Sequence, residues 1–396
     1  VAPRQRLPFG LASRLYLLAV FLMPLQLEID QFTSAAGSRF PPGDVLLICA
    51  VLAAPQMVRF GREAVSLLSL AFVAVLAYGV VLAIVYAGAV TTHALVVKFL
   101  GGCVLALWCV VTISHVHAGL ALTVMRTWLA GMALWAVVSF VDWRIADIVP
   151  MITHDLDSRF GGAQFDQNNA GIAFGVATVL MWRSGRRVFG SQLVRSLILA
   201  IVVAGLLLTL SRGAFVAVGG AIAVILMVDR VGATRWLRYS AVGCVALLIG
   251  LASGLIGAAI DDFQDRPDNV SSRQTLIDDA LDSYADSNGL GLGLGTQLTQ
   301  QDQIVHNTAI LLLVETSIVG LSFFAAWVFV PARAAWRVRR LEPEIGLGLL
   351  AGLTVMVIAS LGVEALYQRQ WWLLVGLCAL ENSVADRPQP TSVTRS

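Results

Sequence analysis

"SLILAIVVAGLLLTLSRGAFVAVGGAIAVILMV" fills residues 196–228. Two apolar runs are joined by a short turn that carries a single arginine, Arg212. A run of about 20 apolar residues crosses a hydrocarbon core of roughly 30 Å. Inside lipid every backbone polar group must find a partner within the protein, which helices achieve and open strands do not. The stretch therefore predicts a helical hairpin in a membrane. A charged side chain within such a span costs about 2.5–3.5 kcal/mol on insertion scales, so Arg212 needs a reason to be there.

The rest of the chain repeats the pattern. Of 396 residues 58% are hydrophobic and 13% charged, with a mean hydropathy of +0.79. A soluble domain carries about 25% charged residues. About twelve spans are expected, at 11–28, 43–58, 64–86, 94–114, 120–141, 169–182, 193–210, 213–228, 239–260, 307–330, 345–366 and 370–382. The predicted fold class is all-α, a polytopic integral membrane protein with one transmembrane domain over 1–396. The segments "VAPRQR", "RFGR", "RSGRR", "DRVGATRWLR" and "RAAWRVRR" and the tail from 383 to 396 fall on one side. The positive-inside bias makes that side cytoplasmic, with both termini in it and the tail without fixed structure. Trp143, Trp236, Trp336, Trp371 and Trp372 stand at span ends, where interface anchors belong. The first segment, "LASRLYLLAVFLMPLQLEI", has no small-residue cleavage site and reads as a retained span. All five cysteines lie in apolar runs, which argues against disulfide and metal roles. The net charge of +2 comes with no basic stripe, so nucleic acid is not an expected partner.

Two connections on the opposite, outer side exceed a turn: 142–168 and 261–306. The second contains "SSRQTLIDDALDSY", where Ser271 and Gln274 fit a capping box ahead of apolar Leu276, Ile277, Ala280, Leu281 and Tyr284 at helical spacing. A short amphipathic helix is expected here, with Arg273 in its first turn and a stop near Ser287-Asn288-Gly289. "GLGLGLG" at 289–295 lacks the Lys-Ser/Thr pair of a phosphate loop and reads as a flexible return segment. "YADSNG" fails as a calcium loop because Tyr284 and Gly295 occupy ligand positions. "DLD" at 155–157 is a lone acidic pair, and no metal is expected.

Polar residues inside or beside spans complete the inventory. His306 and Asn307 stand where the long loop enters a span, and Glu315 lies deeper in it. Imidazole is the side chain suited to removing a proton near neutral pH. Lys98, the single lysine, sits just inside the outer end of its span, and Glu364 lies near another span's end. Arg159 and Asn169 belong to the first long loop and to the "QNN" that ends it.

Three pieces, in order, resemble the bacterial O-antigen ligase and polysaccharide polymerase superfamily: "GAQFDQNNAGIAF", "LTLSRGAFVAV" and "SSRQTLIDDALD…NGLGLG…HNTAILLLVETSIVGL". The resemblance covers roughly 155–330 and departs where the family often has Glu-x-Gly, here Glu315-Thr316-Ser317. It implies a glycosyltransferase of lipopolysaccharide and cell-envelope assembly, in the bacterial inner membrane with a periplasmic active site. The implied donor is an undecaprenyl-pyrophosphate-linked glycan, and the implied acceptor is lipid A–core or another lipid-linked glycan. Arg212, Arg273 and His306 carry over as catalytic residues, with Arg159, Lys98, Asn169, Asn307 and Glu315 toward substrate. The implied reaction is an inverting single displacement that needs no metal or other cofactor. Fixed guanidiniums suit a leaving diphosphate because they bind its oxygens in pairs and never lose their charge.

Two other classes stay open. Glu28 and Asp30 in the first periplasmic loop would serve a polyprenol-dependent glycosyltransferase with a carboxylate base. Lys98, Glu315 and Glu364 would serve the ion relay of a lipid-linked glycan transporter or flippase.

Overall fold

The computed structural model describes residues 10–25, 42–53, 74–75, 77–82, 85, 120–144, 167–229, 268–294, 305–363, 365 and 368–385. The regular elements among them are α1 Leu11–Leu22, α2 Pro42–Ala53, α3 Leu120–Arg144, α4 Gln167–Val188, α5 Gln192–Leu208, α6 Arg212–Val228, α7 Asp268–Asp286, α8 Thr308–Leu341, α9 Pro343–Ala359 and α10 Arg369–Ala385. The all-helical class holds, with no strand among the described residues. Ala121–Asp142 and α8 are long and apolar enough to cross a membrane, and α1, α5, α6 and α9 are shorter apolar helices. The expected spans at 94–114 and 239–260, and most of 64–86, lie outside the described residues.

α4 and α9 form the centre. They pack on each other; α4 also meets α3, α5 and α6, and α9 meets α6, α8 and α10. α9 buries residues on every side, from Ile345 to Ala359, as a helix apolar all round should. Small residues on α4 (Ala170, Gly171, Ala173, Gly175, Ala177) let its neighbours come close, the usual basis of helix association where lipid removes the hydrophobic drive. Trp371 and Trp372, expected as interface anchors, are core residues instead. Trp371 is fully buried and stacks on Trp327 of α8 at 3.8 Å between ring centroids. Trp336 is 40% exposed.

The bundle has two ends of different character. At the arginine end, Arg183 pairs with Asp229 at 2.9 Å and Arg187 with Glu342 at 2.6 Å. Arg339 donates to the Val228 carbonyl ending α6, and Arg126 donates to the Val188 carbonyl ending α4. The other end, the loop end, holds the starts of α4, α6, α8 and α10.

α8 is two limbs. Thr316 (φ −136°, ψ 19°) and Ser317 (φ 58°, ψ −152°) leave helical geometry. The bend is sharp: a Cβ on Gly320 would lie 2.5 Å from the Leu312 carbonyl oxygen. In an unbroken helix, residues eight apart are about 12 Å apart along the axis. The limb 308–315 therefore folds back toward the limb that follows, and Gly320 leaves room for it.

The break frees the carbonyls of Val314 and Glu315, which an unbroken helix would pair with residues 318 and 319. The glycine-rich stretch fills the gap. Leu292 N–H donates to Val314 O at 3.0 Å and Gly293 N–H to Glu315 O at 2.8 Å. Leu294 N–H reaches Gly79 O, and Tyr78 Oη donates to Leu290 O at 2.7 Å. Gly289, Gly291 and Gly293 all take positive φ (73°, 90° and 97°), which glycine adopts without steric penalty. Over 289–294, then, the stretch read as a flexible return is an ordered strap against the break. Non-helical backbone buried in a membrane protein is tolerated only when protein partners satisfy it, as here.

The amphipathic helix is present as α7, and it ends as the sequence predicts. Asn288 and Gly289 turn left-handed, and Gly289 N–H closes back on Tyr284 O. Its start differs. α7 opens at Asp268, so Ser271 and Gln274 lie inside the helix and cannot form its capping box, and Arg273 sits in the second turn. Ala280 packs with Leu292, Val305 and Val314, flanked by Ile277, Tyr284 and Ile310. α7 thus lies on the first limb of α8.

Candidate active site at the loop end

His306 is exposed, immediately before α8. Its neighbour Asn307 caps the limb: its Oδ1 accepts from Ala309 N–H and Ile310 N–H at 3.1 Å each. The Asn307 Nδ2 donates to Leu361 O. Thr308 adds three bonds to the same turn, from its N–H to Ser360 O, from its Oγ1 to Val363 O, and from Ala365 N–H to its Oγ1. Asparagine is among the best N-caps, and a cap is worth about 1 kcal/mol. The His-Asn-Thr run is thereby fixed to the turn that follows α9. Arg273 comes to that turn from above. One of its guanidinium nitrogens lies 4.0 Å from where a Gly362 Cβ would sit. Arg273 on α7 and Asn307, the residue after His306, therefore both reach the turn at 361–363.

Arg212 arrives by a different element. Thr209, left-handed Leu210 (φ 49°) and Ser211 make the tight turn between α5 and α6. Ser211 is the N-cap, accepting from Ala214 N–H, and its Oγ donates to Asn168 Oδ1 of α4 at 3.1 Å. Arg212 is then the first residue of α6 and half-buried. The next-but-one turn of α6 touches the end of α9, Gly220 against Ile358. Arg212 stands about two turns, roughly 12 Å, further toward the loop end. Its charge adds to the partial positive charge at a helix start. Arg212, Arg273 and His306 thus lie on three different elements that come to one end of the bundle.

Asn169, in the first turn of α4, is half-buried, and its Oδ1 has no hydrogen-bond partner among the described residues. Glu315 is not beside His306. It is 2% exposed at the bottom of the first limb, under the glycine strap. Lys98, Arg159, Glu28, Asp30 and Glu364 lie outside the described residues or have undescribed side chains. Sequence reasoning missed Ser211, Asn168 and Thr308 as the groups that fix the site's geometry. Ser before Arg-Gly at a span's start was a readable cap signal; the reach of Thr308 across to 363 had no local signal.

Residues 196–325 match the O-antigen ligase family. That stretch runs from α5 through the second limb of α8 and contains Arg212, Arg273, His306, Asn307 and Glu315. The resemblance read from the sequence to the O-antigen ligase superfamily is thus shown for roughly a third of the chain. The match supports a glycosyltransferase-type enzyme of the ligase or polymerase kind, in a bacterial membrane, acting on lipid-linked glycan. No curated protein matches the chain.

Proposed function

We propose that the protein transfers a glycan from undecaprenyl pyrophosphate to an acceptor hydroxyl at the periplasmic face of the bacterial inner membrane. What supports this reading is that Arg273 and Asn307, the residue after His306, both reach the turn 361–363 and belong to the segment that matches the O-antigen ligase family. His306 takes the proton of the acceptor hydroxyl as its oxygen attacks the anomeric carbon. The bond from that carbon to the diphosphate breaks on the opposite face, its electron pair going to the leaving oxygen. Undecaprenyl pyrophosphate departs, and the anomeric configuration inverts. Arg212 and Arg273 stabilise the charge that grows on the leaving group, being fixed before the reaction and needing no reorganisation. Asn169 offers a carboxamide oxygen to a sugar hydroxyl, and Arg159 and Lys98 are assigned to donor binding in this reading. Asn307 holds His306 in place. Both termini are cytoplasmic in this reading.

The acceptor is lipid A–core for a ligase or a second lipid-linked glycan for a polymerase. Deleting the gene in its source organism and analysing the surface glycan separates them. Loss of a ligase leaves bare core and a backlog of lipid-linked polymer, and loss of a polymerase leaves single repeats. An unchanged surface glycan contradicts the proposal. One observation favours a second reading, a lipid-linked glycan transporter: α8 is interrupted beside the buried Glu315, a feature of helices that carry ions or substrates. A purified protein that moves lipid-linked glycan between leaflets without making a glycosidic bond would establish it. If Asp30→Asn abolishes transfer while His306→Ala does not, the base is a first-loop carboxylate.

A further inference from the structure

Ser317 sits where α8 breaks, in a backbone region that side chains rarely adopt. Two hydrogen bonds surround its hydroxyl. It donates to Gly289 O at 2.6 Å and lies 3.2 Å from Tyr284 Oη. Gly289 opens the glycine strap and Tyr284 closes the last turn of α7, so one hydroxyl joins the break, the strap and the helix that carries Arg273. Among the described residues, the apolar contacts of α7 are those of Ala280, Ile277 and Tyr284 with Leu292, Val305, Ile310 and Val314. Apolar contact is non-directional and does not set register. Hydrogen bonds do.

We infer that Ser317 is a positioning residue that fixes the reach of Arg273 toward His306, an inference that rests on the transfer reading. Arg273 and Tyr284 are eleven residues apart on one helix, about 16 Å. A rotation of roughly 10° about the junction then moves the Arg273 backbone by about 3 Å. A misplacement of about 1 Å is enough to cost roughly 10²-fold in a positioned reaction. The first limb, with His306 at its head, is held independently by Thr308 and Asn307. Loosening Ser317 therefore displaces Arg273 relative to His306 and leaves Arg212 where it is.

Two measurements test this. The first needs no activity. With its native cysteines replaced, the chain is spin-labelled at Asp278→Cys on α7 and Leu361→Cys on the turn, both exposed positions, and the distance between labels is measured in lipid. Ser317→Gly, which also relieves the backbone, and Tyr284→Phe each broaden or lengthen the distribution; an unchanged distribution overturns the inference. The second measures transfer. Ser317→Gly lowers kcat about 10- to 100-fold, with the donor KM little changed. Adding Arg273→Lys costs almost nothing more in that background, whereas adding Arg212→Lys costs its full factor. Equal, multiplicative losses for both arginines mean a general structural defect and overturn the assignment. If Ser317→Gly does not fold, Tyr284→Phe carries both arms. If the unmodified protein transfers no glycan, the transfer reading fails while the distance arm still reports on the junction.

Discussion

The two ends of the bundle use the same residue type for different work. At the arginine end, guanidiniums are matched to protein groups: Arg183 to Asp229, Arg187 to Glu342, Arg339 and Arg126 to carbonyls that end α6 and α4. Those contacts answer the unsatisfied carbonyls and negative ends of helices. At the loop end, Arg212 begins a helix instead of ending one. A cation at the positive end of a helix gains nothing from that helix's own charge, so the stabilisation of Arg212 comes from other groups. Position relative to helix polarity, more than the count of arginines, thus distinguishes the arginines that close helix ends from Arg212, which opens one.

That comparison can be broken experimentally, and the largest effect falls on His306. His306→Ala should lower transfer by about 10²–10⁴-fold with the protein still folded, measured as glycan transferred per enzyme in lipid vesicles. Next come Arg212→Lys and Arg273→Lys, each expected to cost about 10²–10³-fold in kcat because lysine keeps the charge and loses the paired donors. A loss below threefold for either would place that arginine with those of the opposite end. Asn307→Ala should destabilise by about 1 kcal/mol through the lost cap, seen in denaturant or thermal unfolding, with a smaller fall in kcat from a loosened His306. Smallest is Arg187→Gln. Its pair with Glu342 is solvent-exposed, and pairs of that kind contribute little; neither transfer nor the unfolding midpoint should move measurably.

Much of the site was legible because its chemistry is local. Ser211-Arg212-Gly213 and His306-Asn307 each announce a helix start, and a charge or imidazole there stands out against apolar runs on either side. The end of α7 was legible for the same reason, since Asn288 and Gly289 are ordinary helix stops. Its beginning differs because Ser271 and Gln274 satisfy a local cap rule, whereas the helix opens three residues earlier, at Asp268. The break in α8 was invisible. "ETSIVGL" continues an apolar helical pattern, and Ser317 has no local reason to leave it. The cause lies about 25 residues upstream, in a strap whose N–H groups take the carbonyls that the break releases. The strap in turn looked unstructured because its partners are not near it in sequence. Trp371 and Trp372 were misplaced by the same logic: their position at a span's end suggested lipid headgroups, and only the packing of α10 on α8 buries them.

The decisive measurement is the anomeric configuration of the new linkage, read by nuclear magnetic resonance on product made by the purified protein in vesicles from a lipid-pyrophosphate-linked glycan of known configuration. Displacement by an acceptor activated at His306 predicts full inversion and no product from His306→Ala. Retention of configuration, or undiminished product from His306→Ala, would contradict it.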